Sequence, residues 1–150
     1  MKQTSLFLLI ALFSFSCSST INKIFSENKT PHEKYADKIE DNKLDDTPEG
    51  RLWLAASKGA LEAPQTILLP YRQNGYFHPD KPRSLGLRFQ ARHGEKIMFA
   101  FHKKPSASLV LYADLFKAGD VFADPLMSAD TGDLQLNFEV VETGSYILRL

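Results

Sequence analysis

LQLNFEVVETGSYILRL, residues 134–150, holds two alternating apolar rows joined by a turn at Gly144. Leu134, Leu136, Phe138 and Val140 fall on one face and Gln135, Asn137 and Glu139 on the other. That is the period of two of a half-buried strand. Tyr146, Leu148 and Leu150 repeat it after Glu142-Thr143-Gly144-Ser145, which predicts a β-hairpin. A hairpin cannot bury its apolar face alone, so further strands or a second layer must come from upstream. Tyr146 to Leu150 runs to the last residue with no polar cap or turn, which leads to the expectation that the chain continues beyond Leu150.

The residues upstream supply more strands. Thr66-Ile67-Leu68-Leu69 is a short one ended by Pro70, and Tyr71 to Ser84 (YRQNGYFHPDKPRS) reads as a long loop rich in turn-formers. Leu87, Phe89 and Ala91 alternate with Arg88, Gln90 and Arg92, and Arg92-His93-Gly94-Glu95 turns the chain into Ile97–Phe101. Both faces of that run are mostly apolar, which predicts a central strand. Ser108–Phe116 (SLVLYADLF) is a further strand with Leu109, Leu111, Ala113 and Leu115 on one face, and Leu126–Ala129 a short edge. Six or seven short strands between turns predict a mainly β chain, an antiparallel β-sandwich.

Ahead of the strands the period changes to that of helices. Thr30-Pro31-His32-Glu33 combines an N-cap, a Pro at the first helical position and a capping-box Glu, opening a helix to about Lys43 whose end Leu44 seats. Thr47-Pro48 repeats the device for a second helix through Lys58, with Gly59 just past its end and Gly50 where a capping-box Glu would stand. The two form a short helical hairpin. Trp53, the single tryptophan, is read as its anchor on the sheet.

Lys2 followed by the apolar run Leu6–Phe15 (LFLLIALFSF) reads as an export signal, too short for a membrane span of about twenty residues. Cys17, the single cysteine, cannot form an internal disulfide. It stands at the cleavage point, where Ser16-Cys17 resembles the end of a bacterial lipobox, although Ser14 and Phe15 depart from the usual pattern. Ordinary cleavage between Ser16 and Cys17 is the alternative; the position of the lone cysteine favours acylation and a membrane-anchored envelope lipoprotein. Ser18 to Lys29 suits a flexible tether. The expected organisation is therefore an export signal over 1–16, a tether over 17–29, a helical hairpin over 30–61 and a β-sandwich over 64–150. Eighteen basic and eighteen acidic residues cancel, and the basic stripe expected of a nucleic-acid binder is absent.

Candidate chemistry is sparse. Neither H-E-x-x-H nor H-x-H occurs, and His32, His78, His93 and His102 read as helix-start, loop, turn and strand-end residues rather than metal ligands. No Ser sits in a G-x-S-x-G elbow. Asp120, Asp124, Asp130 and Asp133 match no calcium-loop spacing, and Asp favours turns for its own backbone-bonding reasons. No catalytic and no metal-binding residue is assigned. Tyr71, Tyr76 and Phe77 remain as a possible ligand platform, the alternative being that they close the end of the core.

Leu87-Arg88-Phe89, Arg92-His93-Gly94-Glu95, Ile97–Phe101 and Gly144-Ser145-Tyr146-Ile147-Leu148-Arg149-Leu150 follow one another as in the β-sandwich of bacterial pre-peptidase domains. With HEKYADKI, GRLWLAA, LPYRQNGYF and LYADLF in order, the chain from Thr30 to Leu150 resembles the non-catalytic N-terminal region of lysostaphin/LytM-type zinc metallopeptidases, which cut peptidoglycan cross-links. The resemblance implies a catalytic domain beyond residue 150 bearing H-x-x-x-D and H-x-H zinc ligands. Neither motif occurs here, so no catalytic residue is carried over and zinc would belong to that later domain. The competing expectation is a stand-alone exported module that binds glycan or peptide through Tyr71, Tyr76 and Phe77.

Overall fold

The computed structural model describes residues 29–76, 81–102, 110–121, 124–130 and 135–150. The export signal, most of the tether, Cys17, Phe77, His78, Leu109, Asp133 and Leu134 lie outside the described residues. Helices α1 (Pro31–Asp41) and α2 (Pro48–Glu62) flank a 3-10 turn (Leu44–Asp46). Seven strands follow among the described residues: β1 (Gln65–Thr66), β2 (Gly86–Ala91), β3 (Lys96–Ala100), β4 (Ala113–Lys117), β5 (Met127–Ala129), β6 (Gln135–Glu139) and β7 (Gly144–Arg149). The described chain is mainly β, with the two helices ahead of the strands.

Helix α1 starts as its sequence predicts. The Thr30 hydroxyl accepts from the Glu33 amide at 3.2 Å, and the Glu33 carboxylate accepts from the Thr30 amide at 2.8 Å. Lys43, at a left-handed φ of 55°, ends it, and Leu44 is exposed in the following turn rather than seated under the helix. Thr47 caps α2 through the Gly50 amide at 3.1 Å. Gly50 takes the place of a Glu because the 3-10 turn crosses there: a Cβ at position 50 would overlap the Leu44 carbonyl. Gly59 does not stop α2, which runs one more turn to Glu62 before Ala63-Pro64. The buried stripe of α2 consists of Gly50, Ser57 and Ala60, while Leu52 and Ala55 face solvent.

Five strands form one sheet in the order β1-β2-β7-β4-β5, and β3 pairs with β6 in a second sheet. Every pairing is antiparallel except β1 with β2, which is parallel. Leu87, Phe89, Ala91, Ala113, Leu115, Ala129, Tyr146 and Leu148 of the larger sheet share one apolar core with Leu136 and Phe138 of the smaller. Rings meet across it, Phe138 to Tyr146 at 5.2 Å and Phe89 to Phe99 at 5.8 Å between centroids.

Two expectations about pairing are corrected. Residues 134–150 do not form a hairpin: β6 pairs with β3, β7 pairs with β2 and β4, and Val140–Thr143 arches from one sheet to the other. Alternation marks which side chains face the core, and Phe138 and Tyr146 face it from opposite sides rather than along one sheet. The arch is held by the β2–β3 turn, where the His93 amide donates to Thr143 Oγ1 at 2.9 Å and the Gly94 amide to the Val140 carbonyl at 2.8 Å. Tyr146 closes it by donating its hydroxyl to the Glu142 carbonyl. Nor is β3 central: among the described residues it has β6 as its one partner, with Lys96, Met98 and Ala100 exposed on its outer face.

Candidate functional site

The alternation that sends Leu115, Tyr146 and Leu148 into the core sends their neighbours to the opposite face of the larger sheet. Asp114, Phe116, Ile147 and Arg149 point there, and all four are buried; the helical hairpin lies against that face at Arg149 and Gly86. Register places Ser128, Asp114, Arg149 and Gly86 in one row across β5, β4, β7 and β2. At Gly86 the end of α2 comes so close that a Cβ would overlap the Ala60 carbonyl. This close approach seats Ser57, one turn earlier, over Arg149.

A four-residue polar cluster results. Arg149 Nη2 donates to Asp114 Oδ2 at 2.5 Å and to His32 Nδ1 at 3.0 Å, and Arg149 Nη1 donates to Ser57 Oγ at 3.2 Å. His32 Nε2 lies 2.8 Å from Ser57 Oγ. Its members come from α1, α2, β4 and β7, up to 117 residues apart in sequence. Asp114 is 1 % exposed, and its Oδ1, like Arg149 Nε, has no hydrogen-bond partner among the described residues. The guanidinium also lies 5.1 Å above the Phe116 ring centroid. Trp53 stacks on His32 at 4.7 Å, and Tyr35 and Tyr112 complete an aromatic rim around it.

The donors decide what this cluster can do. A guanidinium has no acceptor, so His32 Nδ1 must present its lone pair to Arg149. The neutral ring then carries its proton on Nε2 and donates to Ser57 Oγ. Burial, the adjacent Arg149 charge and, opposing them, Asp114 at 4.0 Å set the imidazole pKa at about 4, below its usual 6.5. Ser57 faces a donor on both sides, so the pair resembles a serine–histidine dyad in composition but not in polarity. Ring Nε2 has no lone pair with which to take the serine proton. What the cluster does is join the hairpin to the sheet.

His32 stands in the first turn of α1, as its sequence predicts, but it is buried and bonded on both ring nitrogens. A recognisable signal lay in β7, where Ile147 and Arg149 share the non-core face; an apolar residue there indicates that something covers it. Trp53 is half-buried in the hairpin contact, consistent with an anchor. His93 and His102 are exposed. No group of three or more His, Cys, Asp or Glu residues suited to a metal ion occurs among the described residues. Tyr76 is 74 % exposed, and Tyr71, half as exposed, donates its hydroxyl to Gln73 Oε1 at 3.0 Å. A groove over the β3–β6 pair is lined by Ile97, Met98 and Phe138 with Lys96, Asn137 and Glu139, and none of its polar residues is buried. No described helix is long and apolar enough to cross a membrane. No family model, no curated protein and no solved structure matches the chain.

Proposed function

We propose that this chain is the non-catalytic, envelope-anchored N-terminal region of a peptidoglycan zinc metalloendopeptidase, its two sheets forming a pre-peptidase-like β-sandwich. The observation that carries the reading is the polarity of the His32–Ser57 pair: the most enzyme-like cluster among the described residues has no general base and spends its hydrogen bonds on docking two structural units. A scaffold role fits that use. The order of strand motifs from Leu87 to Leu150 and the export signal ahead of Cys17 support the same reading. The acylated Cys17 would hold the protein on a membrane, and the tether to Lys29 would set the reach of the enzyme over peptidoglycan. Zinc and the residues that ligate it would belong to a following domain. The reading frame past codon 150 tests this directly, with H-x-x-x-D and H-x-H expected downstream. A stop at that point in an intact gene would defeat the proposal. Labelled palmitate should enter the chain and be lost in Cys17→Ser.

The exposure of Tyr76 favours a second reading, a stand-alone exported or lipoprotein module that binds glycan or peptide through Tyr71, Tyr76 and Phe77. Peptidoglycan pull-down separates the two. Under this reading the double variant Tyr76→Ala/Phe77→Ala loses retention, and undiminished retention removes the assignment.

A further inference from the structure

We propose that His32 is a proton-operated latch for the helical hairpin: protonation of its ring breaks the contact with Arg149 and releases α1 and α2 from the five-stranded sheet. The inference rests on the docking geometry alone and not on the peptidase reading.

The geometry makes the two protonation states unequal. In the neutral state Nδ1 accepts from Arg149 and Nε2 donates to Ser57, so both nitrogens are satisfied. A proton from solvent has one place to go, Nδ1, which lies 3.0 Å from a guanidinium nitrogen. Two donors and two positive charges then face each other in a buried site, where repulsion is screened far less than in water. Asp114 is the anion that acts on the ring. From α1 come Tyr35 and Glu33, whose carboxylate is taken by the Thr30 amide. From α2 come Ser57 and Trp53, from β4 comes Asp114, and from just before β4 comes Tyr112. Asp130, after β5, acts on Tyr112. Asp114 Oδ2 is 4.0 Å from Nδ1 and already holds Arg149 at 2.5 Å, so the carboxylate as placed does not neutralise a charged ring and would have to turn to do so. The depressed imidazole pKa agrees with this geometry.

What moves follows from which contacts sit on which side. The core between the sheets lies on the far face of β2, β7 and β4 and makes no use of the latch. The hairpin meets the sheet through His32, Ser57 and Ala60 on one side and Arg149, Asp114 and Gly86 on the other. Release would free the guanidinium, which lies over Phe116 on the same sheet face.

Amide hydrogen exchange of the full chain at pH 7 and pH 4.5, normalised to unfolded peptides, tests the latch. Protection over residues 31–62 should fall at least about tenfold while β2, β4 and β7 keep theirs, since one linked proton changes an opening equilibrium by up to roughly tenfold per pH unit. Fluorescence of Trp53, stacked on the ring, should change over the same range. His32→Gln keeps an acceptor for Arg149 and a donor for Ser57 without a titrating site, and should abolish the acid response. Unchanged helix protection, as when Asp114 turns Oδ1 to the charged ring, overturns the proposal. So does equal loss in helices and strands, or the same acid response in His32→Gln. Should that variant not fold, the His32 ring titration followed by NMR in the native chain must share its midpoint with helix opening, and a separation of the two overturns the latch as well.

Discussion

Arg149 is the residue on which the hairpin contact turns, because its guanidinium is the partner of Asp114, Ser57 and His32 together. Removing it strands a carboxylate that is 1 % exposed. Arg149→Met should therefore cost roughly 3–5 kcal/mol in urea denaturation, the usual penalty for breaking a buried pair from one side. Removing both charges is a different matter: Asp114→Leu/Arg149→Met should recover most of that loss, since the apolar pair leaves no charge to desolvate. A double variant as unstable as the single one would mean that the ion pair itself, and not the stranded carboxylate, supplies the stability. His32 adds a pH dependence whose sign is fixed by its lowered pKa. Between about pH 6.5 and pH 4 the unfolded chain binds a proton that the folded chain does not. The stabilisation is full above pH 6.5 and declines as pH falls toward 4, by up to about 1.4 kcal/mol per unit. Urea midpoints measured over that interval should drop more steeply for the native chain than for His32→Gln, and parallel curves would assign the acid loss to other groups.

At the scale of elements, the hairpin is positioned by backbone approaches as much as by side chains. A methyl group on Gly86 would press on the Ala60 carbonyl, so Gly86→Ala should destabilise by roughly 1–3 kcal/mol and loosen α2 first, seen as lost amide protection over its last turn. Lys43 holds a left-handed conformation at the end of α1, φ 55° and ψ 30°. Lys43→Gly should raise stability by roughly 1 kcal/mol in thermal unfolding, as that region is unfavourable for side-chain-bearing residues. These two positions also explain what a sequence reading reaches and what escapes it. The capping box at Thr30 and Glu33 is local chemistry and reads directly. The buried stripe of α2 does not, because Gly50, Ser57 and Ala60 face inward for closeness and hydrogen bonding rather than for hydrophobicity, while Leu52 faces water. The inward faces of β2, β4, β6 and β7 follow from alternation alone. Whether β6 pairs with β7 or faces it does not, since both arrangements give the same alternation, and the His93–Thr143 contact that decides it joins residues 50 apart. The polar cluster was hidden for the same reason, its four members lying on four elements.

At the scale of the molecule, β7 is the element that both layers share: Tyr146 and Leu148 face the second sheet, Ile147 and Arg149 face the helices. A helical hairpin over 30–61 and a β unit over 64–150 look separable in the sequence, yet the helix-facing side of the larger sheet is as buried as its core side at Phe116 and Ile147. A chain beginning at Ala63 keeps every residue of the inter-sheet core and loses the cover over these two side chains. It should therefore fold, since the core it needs is intact, but associate through the uncovered face, because an apolar patch on a sheet surface seeks a partner. Size-exclusion chromatography with light scattering should show oligomers for residues 63–150 and a smaller species after Phe116→Thr/Ile147→Thr. Adding a peptide of residues 29–62 should dissolve the oligomers at pH 7, where His32 is neutral and Arg149 can be engaged, and do so less well at pH 4.5. A monomeric β unit with unchanged thermal stability would show that the hairpin is an ornament on the sheet rather than its second cover, and would leave the His32–Arg149 contact without a structural consequence.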